Sequence, residues 1–363
     1  MNEFHGVAIN PDGWMYLSEH LAPICTIMDI PLTLPSKKTA QQVAKYYPDL
    51  KTQVIESENF SLSYLFEKYD VIFHSDTFDL QSHAKALKDM IQNLDKDAHI
   101  VHCPHGFSDK GFWFERSVNE DITLIYGQNE LDLLRERGVL QNLKHYVMVG
   151  NTRLPYYQKH QKHFDEIVQK EVFAQFDQER PTLLYAPTWQ DPENSSSFVD
   201  ASEILLKQLP KEFNIIIKLH PRTRNSHKEH LNDMIEQYKA HPQVVILEDY
   251  PLVYPILSKS VAYIGDMSSI GYDFLAFDRP LFLLNQNRRD TNNDRGLFLY
   301  RCGVEITPDQ YKNIFSLIKE TLVNDQKSES RQQVYRYTFG KERGTGQIRK
   351  DLILQCENHK LFY

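Results

Sequence analysis

The sequence predicts an α/β protein in two halves, each built on a parallel sheet. Three observations lead there. Strand-like and helix-like segments alternate through the first 155 residues and again from Thr182 onward, the pattern of βαβ units. Between the two series the composition shifts: residues 156–178 are polar, rich in Lys, His and Gln, with apolar residues at helical spacing. Finally, three apolar runs of the second half each end in a polar turn: TLLYAPTWQD at 182–191, NIIIKLHPR at 214–222 and YIGDMSS at 263–269. Ligands of open α/β sheets bind beyond the carboxyl ends of the strands, so three such ends describe one edge of one pocket.

The elements follow in order. Residues 23–30 (PICTIMDI) are a short apolar run before a Pro-marked turn. Residues 38–47 are helical in pattern, 71–75 (VIFHS) a strand, 80–94 an amphipathic helix and 99–103 (HIVHC) the next strand. Strands at 123–126 and 146–149 flank a helix at 130–137. After the polar helical connection, strands are expected from Thr182 to the end of YAPTW at Thr188 and Trp189, at 215–218 and 244–247, ending at 262–265, and at 281–284, with helices at 201–209, 227–240, 270–277 and 309–322. Pro280 is expected to end the helix at 270–277. The basic tail, with Arg331, Arg336, Lys341, Arg343, Arg349 and Lys350, is expected to be helical and to pack at the domain junction. The expected domains are therefore 1–155, a connection at 156–180, 181–330, and the tail at 331–363.

Composition narrows the class. A chain of 363 residues has material for two cores. A formal net charge of −8 gives no basic field, so nucleic acid is not an expected partner. No apolar run approaches the roughly 20 residues of a membrane span, and MNEFHGVAIN lacks the regions of a secretory signal. Cys25, Cys103, Cys302 and Cys356 form no C-x-x-C pair, which suits a reducing compartment. A cytoplasmic protein is expected. No P-loop, dinucleotide fingerprint or nucleophile elbow is present.

The candidate site residues cluster at the strand ends. After the strand at 262–265, Asp266, Ser268 and Ser269 lie on a turn before a helix, where free backbone N–H groups and the dipole favour an anion such as phosphate. The same residues can simply cap the helix. Asp273 lies one turn on and can bond a hydroxyl or cap. His220 ends the NIIIKLHPR strand and can contact a phosphate or cap a strand end; Arg222 can grip phosphate oxygens, whereas Arg224 is read as a solvated charge. The Thr188 hydroxyl can reach phosphate or ribose, and Trp189 is expected to pack in the core rather than stack on a base. His105 follows a buried strand and precedes Gly106, which lets a ligand approach the backbone. Lys110 can offset phosphate charge or be solvated. His102, Cys103 and His105 do not make a metal site, because alternation sends His102 and Cys103 to opposite faces, so no metal is expected.

Together these pieces resemble the CDP-glycerol glycerophosphotransferase family, which primes and polymerises teichoic-acid-type polyol phosphates. His105-Gly106 with Lys110 resembles its H-G-x-x-x-K turn, and Gly150 with Arg153 its G-x-P-R segment. Residues 185–189 resemble Y-A-P-T-W, His220-Pro221 the H-P after a strand, and Asp266, Ser268, Ser269 and Asp273 the D-x-S-S-x-x-x-D turn. Phe339-Gly340 with Gly344 resembles the closing F-G segment, so the resemblance runs from about Cys103 to Arg349. Gln190 stands where the family usually has Arg, and Thr152 and Pro155 replace its Pro and Asp beside Arg153.

The resemblance implies two Rossmann-like domains facing a cleft, the glycosyltransferase type B architecture. It implies a CDP-polyol donor, most simply CDP-glycerol, held in the second domain, and a polyol-phosphate or saccharide acceptor, lipid-linked in this family, at the first. His105 would accept the proton of the attacking hydroxyl. His220, Thr188, Arg222, Ser268, Ser269 and Asp273 would serve the donor, with Lys110, Arg153 and Asp266 in support. No cofactor beyond the donor substrate is implied. A lipid-linked acceptor places the chain at the inner face of the plasma membrane as a peripheral protein, with residues 156–176 as the candidate contact surface. The rival readings are a nucleotide-sugar glycosyltransferase or epimerase of the same architecture, and a non-catalytic scaffold of a polymer-assembly complex.

Overall fold

The computed structural model describes residues 4–75, 98–110, 118 and 120–358. The helix expected at 80–94 lies outside the described residues. The chain forms two compact units: Met1–Gly106, Gly111–Tyr156 and Tyr337–Tyr363 make the first, Phe107–Lys110 and Tyr157–Arg336 the second. The short piece Phe107–Lys110 thus belongs to the second unit although it lies within the first 155 residues, because Asp109 and Lys110 find their partners there.

The first unit is a seven-stranded parallel sheet. Its strands are β1 (Gly6–Ile9), β2 (Leu32–Leu34), β3 (Thr52–Val54), β4 (Val71–His74), β5 (His99–His102), β6 (Ile122–Ile125) and β7 (Tyr146–Met148), in the order β3-β2-β1-β4-β5-β6-β7. Val7, Ile9, Ile72 and Ile100 from the sheet and Leu65 and Phe66 from the helix Leu62–Lys68 form one core. Residues 23–28 of the apolar run are the second half of the helix Met15–Met28, which buries Leu17, Leu21, Ile24, Cys25 and Met28 at helical spacing with Pro23 inside it. Asp29 ends this helix in a left-handed turn (φ 58°), its N–H bonded to the Cys25 carbonyl. The C-terminal helix Thr345–Asn358 returns to this unit, and Arg349 donates to the Ile27 carbonyl at 3.1 Å.

The second unit is a six-stranded parallel sheet. The strands β8 (Thr182–Ala186), β9 (Asn214–Lys218), β10 (Val244–Leu247), β11 (Ser260–Gly265), β12 (Leu281–Leu284) and β13 (Val304–Ile306) run in the order β10-β9-β8-β11-β12-β13. The strand order reverses between β8 and β11, whose last residues, Ala186 and Gly265, are register partners. Gly265 is required there: a Cβ would lie 2.7 Å from the Ala186 carbonyl oxygen. Leu183, Tyr185, Ile215, Ile217, Ala262, Ile264, Phe282 and Leu284 form the core beneath.

Three details go beyond the sequence reading. The helix Ser269–Phe274 and its 3₁₀ extension Leu275–Phe277 end at Asp278 in a left-handed turn (φ 46°), before Pro280 is reached. Arg331, in the basic tail, is buried and ion-paired with Asp278 and Asp325. The polar connection folds as Arg153–Lys159 and Gln161–Glu171; Tyr156, Tyr157 and Phe164 are buried, whereas Phe173 and Phe176 are half-buried. Among the described residues no helix is long and apolar enough to cross a membrane.

Candidate active site

The carboxyl ends of β8 and β11 meet where the strand order of the second unit reverses, the point at which doubly wound sheets hold ligands. Asp266, one residue beyond β11, is fully buried. Its Oδ2 accepts the Thr188 N–H at 2.9 Å and the Ser197 N–H at 3.1 Å, which ties the loop after β8 to the end of β11. Its Oδ1 is buried with no hydrogen-bond partner among the described residues. Burial pushes the Asp266 carboxyl up to about 6, against the hydrogen bonds from Ser197 and Thr188 and the charge of Lys110.

Lys110 is not solvated. It is buried, donates to Thr188 Oγ1 at 2.8 Å and pairs with Asp191 Oδ2 at 2.5 Å. Asp191 also accepts from the backbone of Glu193 at 3.0 Å and from the Ser195 hydroxyl at 3.0 Å, while Ser196 Oγ donates to the Thr188 carbonyl at 2.7 Å. Next to Lys110, Asp109 takes hydrogen bonds from the Tyr272 hydroxyl at 2.7 and 2.8 Å, from Arg295 at 2.8 Å and from the Leu299 N–H at 3.1 Å. Burial raises the Asp109 carboxyl to about 6 despite Arg295.

Ser268 and Ser269 follow directly and are half-buried. Ser268 is the N-cap of the helix Ser269–Phe274, its Oγ accepting the Ile270 N–H at 3.4 Å. Asp273 is turned into the unit, where Oδ1 accepts the Tyr254 hydroxyl at 3.1 Å. His220 lies two residues beyond β9, half-buried, and its Nδ1 accepts the Arg222 N–H at 3.1 Å. Trp189 is half-buried rather than in the core, because it leaves the end of β8 to lie 6.0 Å from the His220 ring, with the exposed Arg222 guanidinium 5.0 Å from its own centroid. Arg224 is at the surface, paired with Glu248 at 2.6 Å.

The remaining candidates lie in the first unit. His105 is half-buried beyond β5, with the rings of Tyr16 and His20 each 6.3 Å from its own. Gly106 has φ +111°, a conformation that favours glycine. Tyr126 fixes this turn: its hydroxyl donates to the Pro104 carbonyl at 2.9 Å and accepts the Gly106 N–H at 3.0 Å. Phe339 packs edge-on against Tyr126 at 5.6 Å, and a Cβ on Gly150 would lie 3.1 Å from the Phe339 carbonyl oxygen. The H-G, G-x-x-R and F-G pieces therefore converge in one unit. Arg153 is buried in that unit, 3.9 Å from Glu19. Among the described residues no group of three or more His, Cys, Asp or Glu side chains could hold a metal ion.

Comparison with known proteins then decides the family. The profile of the CDP-glycerol:poly(glycerophosphate) glycerophosphotransferase family matches residues 142–342, more than half of the chain. The chain belongs to this family. It is 29% identical over 131 residues to a teichoic acid glycerol-phosphate primase of Bacillus spizizenii, and 25% identical over 144 residues to one of Bacillus subtilis. These matches cover 36% and 39% of this chain but only 31% and 34% of the primases, about a third of their length. Among solved structures, the wall teichoic acid polymerase TagF superposes with a TM-score of 0.65 over 98% of this chain and 90% of that one, at 12% identity. A UDP-GlcNAc 2-epimerase from Neisseria meningitidis gives 0.57 over 97% and 99%, at 14% identity. At such identity these likenesses establish the fold, two Rossmann-like units.

For this family member, sequence reasoning missed Asp109, Tyr126 and Asp191. Asp109 lies inside the H-G-x-x-x-K turn and Asp191 two residues after Y-A-P-T-W, so adjacency to a motif was the available signal. Tyr126 carried none, being one more aromatic residue at the end of a buried strand.

Proposed function

We propose that the chain transfers glycerol phosphate from CDP-glycerol to a hydroxyl of a cell-surface polymer or lipid-linked acceptor, releasing CMP. The observation that carries this reading is the gathering of Thr188, His220 and Ser268, each from a family motif, at the carboxyl ends of the neighbouring strands β8, β9 and β11. Ser268, Ser269, Thr188 and Arg222 would hold the pyrophosphate by hydrogen bonds and charge. Asp273 would act from inside the unit, keeping the helix after β11 in place through Tyr254.

The reaction divides between two histidines. His105 takes the proton of the acceptor hydroxyl, and the oxygen forms a bond to the phosphorus that carries glycerol. The bond from that phosphorus to the CMP oxygen breaks, and its electron pair leaves with CMP. In the neutral His220 ring the Arg222 N–H occupies Nδ1, so the proton sits on Nε2. His220 therefore acts as a donor to the departing phosphate. Catalysis is mostly positioning and charge stabilisation. Arg153 supports the first-unit site through its buried place beside Glu19. An acceptor on a lipid carrier would bring the protein to the inner face of the plasma membrane.

A thermal-shift series with CDP-glycerol, CDP-ribitol, CMP, UDP-GlcNAc and UDP tests this reading, because a ligand that binds the folded state raises Tm. Stabilisation by CDP-glycerol and CMP but not by the UDP compounds is expected. The reverse would favour the sugar-nucleotide reading, and no shift with any of them would favour a scaffold.

A further inference from the structure

The strongest unassigned feature is the buried contact of Lys110 with Thr188 and Asp191. An ammonium has only protons to give, so Thr188 Oγ1 must accept from Lys110 Nζ at 2.8 Å. The Thr188 hydroxyl proton is then directed elsewhere. The backbone at Thr188 is pinned on both sides as well: its N–H goes to Asp266 at 2.9 Å and its carbonyl takes the Ser196 hydroxyl at 2.7 Å. Asp191, 3% exposed, holds the ammonium at 2.5 Å and is itself held by Ser195 and Glu193. Among the described residues, Thr188 Oγ1 makes this one hydrogen bond.

We propose that Lys110 and Asp191 are positioning residues that reserve the Thr188 hydroxyl as a one-way hydrogen-bond donor to a phosphate oxygen of the nucleotide donor. The proposal rests on the CDP-glycerol reading above. Lys110 then acts through Thr188 and not on the phosphate, its charge being neutralised by Asp191. The ammonium also polarises the hydroxyl it binds, which strengthens the bond the hydroxyl gives to a charged oxygen. Ser196 and Ser197 complete the arrangement by fixing the loop on which Asp191 rides.

The test is calorimetric titration of the full chain with CMP and with cytidine, which lacks the phosphate. Thr188→Val should weaken CMP binding roughly ten- to a hundredfold, the loss of one hydrogen bond to a charged group, and cytidine less than about twofold. Thr188→Ser keeps the hydroxyl and should stay within about threefold of wild type for CMP. The paired change Lys110→Met with Asp191→Asn removes both buried charges together, and should lower the CMP-to-cytidine affinity ratio by roughly three- to tenfold. In the Thr188→Val background it should lower that ratio no further. An equal further loss in that background would overturn the proposal, because Lys110 would then act on phosphate directly. Equal losses for Thr188→Ser and Thr188→Val would overturn it even if the paired variant fails to fold. Wild type binding CMP while no variant changes the ratio would sink the positioning role alone, whereas wild type binding neither CMP nor CDP-glycerol would sink it together with the donor reading.

Discussion

The Tyr126 hydroxyl lies 3.0 Å from the Gly106 amide and, at 2.9 Å, also reaches the Pro104 carbonyl. One phenol thus spans the backbone on both sides of His105. The Phe339 ring backs it from the C-terminal tail. The F-G segment therefore supports the residue that shapes the His105 turn.

Tyr126→Phe should keep the fold, lower stability by about 1 kcal/mol for the lost hydrogen bonds, and reduce turnover of CDP-glycerol about tenfold with little change in CMP affinity. Steady-state kinetics beside CMP titration check this. Unchanged turnover would mean that the turn holds its shape without the phenol.

The Ser268–Ser269 turn yields a second expectation. Ser268 already caps its helix through Ile270, so the change Ser268→Ala, Ser269→Ala should lower Tm, a lost cap costing roughly 1 kcal/mol. If the turn also holds donor phosphate, affinity for CDP-glycerol should fall by roughly a hundredfold or more and affinity for cytidine far less. Equal fractional losses would leave capping as its only role.

Asp266 makes stability depend on pH in an unusual sense. Its folded carboxyl is raised from 3.8 to about 6, so between those values the folded state binds the proton more tightly than the unfolded chain. Its contribution is complete below about pH 4 and is lost as pH rises through 6. Burial shifts Asp109 and Asp249 the same way, whereas the lowered His227 acts oppositely, losing stability as pH falls below its ordinary 6.5. The clean readout is thus a difference: Asp266→Asn, which mimics the protonated acid, should gain in Tm relative to wild type as pH rises from 4 to 7. A difference that stays flat across that range would remove Asp266 as a titrating group.

The second unit was readable because β8, β9 and β11 are runs of five or six residues buried throughout most of their length. In the first unit β2 (LTL) and β3 (TQV) are three residues long with a polar residue among them, so their composition does not stand out as that of the apolar strands β4, β5 and β6 does. Pro23 disguised the end of the helix Met15–Met28 as a separate segment. Motif residues were visible by spacing, yet their partners were not. Lys110 and Thr188 are 78 positions apart, and only the closing of Phe107–Lys110 into the second unit brings an ammonium to that hydroxyl. Trp189 illustrates the opposite case: a large apolar residue at a strand end reads as core, and instead it flanks His220 and Arg222.

Acceptor-dependent glycerol phosphate transfer with His105 as the base is the central claim. The most direct measurement is CMP released from CDP-glycerol by wild type and by folded His105→Ala, with and without a polyol-phosphate or saccharide-lipid acceptor. Release by wild type should require acceptor, and His105→Ala should lower it by roughly 10²–10⁴-fold. No acceptor-dependent release by wild type, or near-normal release by His105→Ala, would contradict the claim.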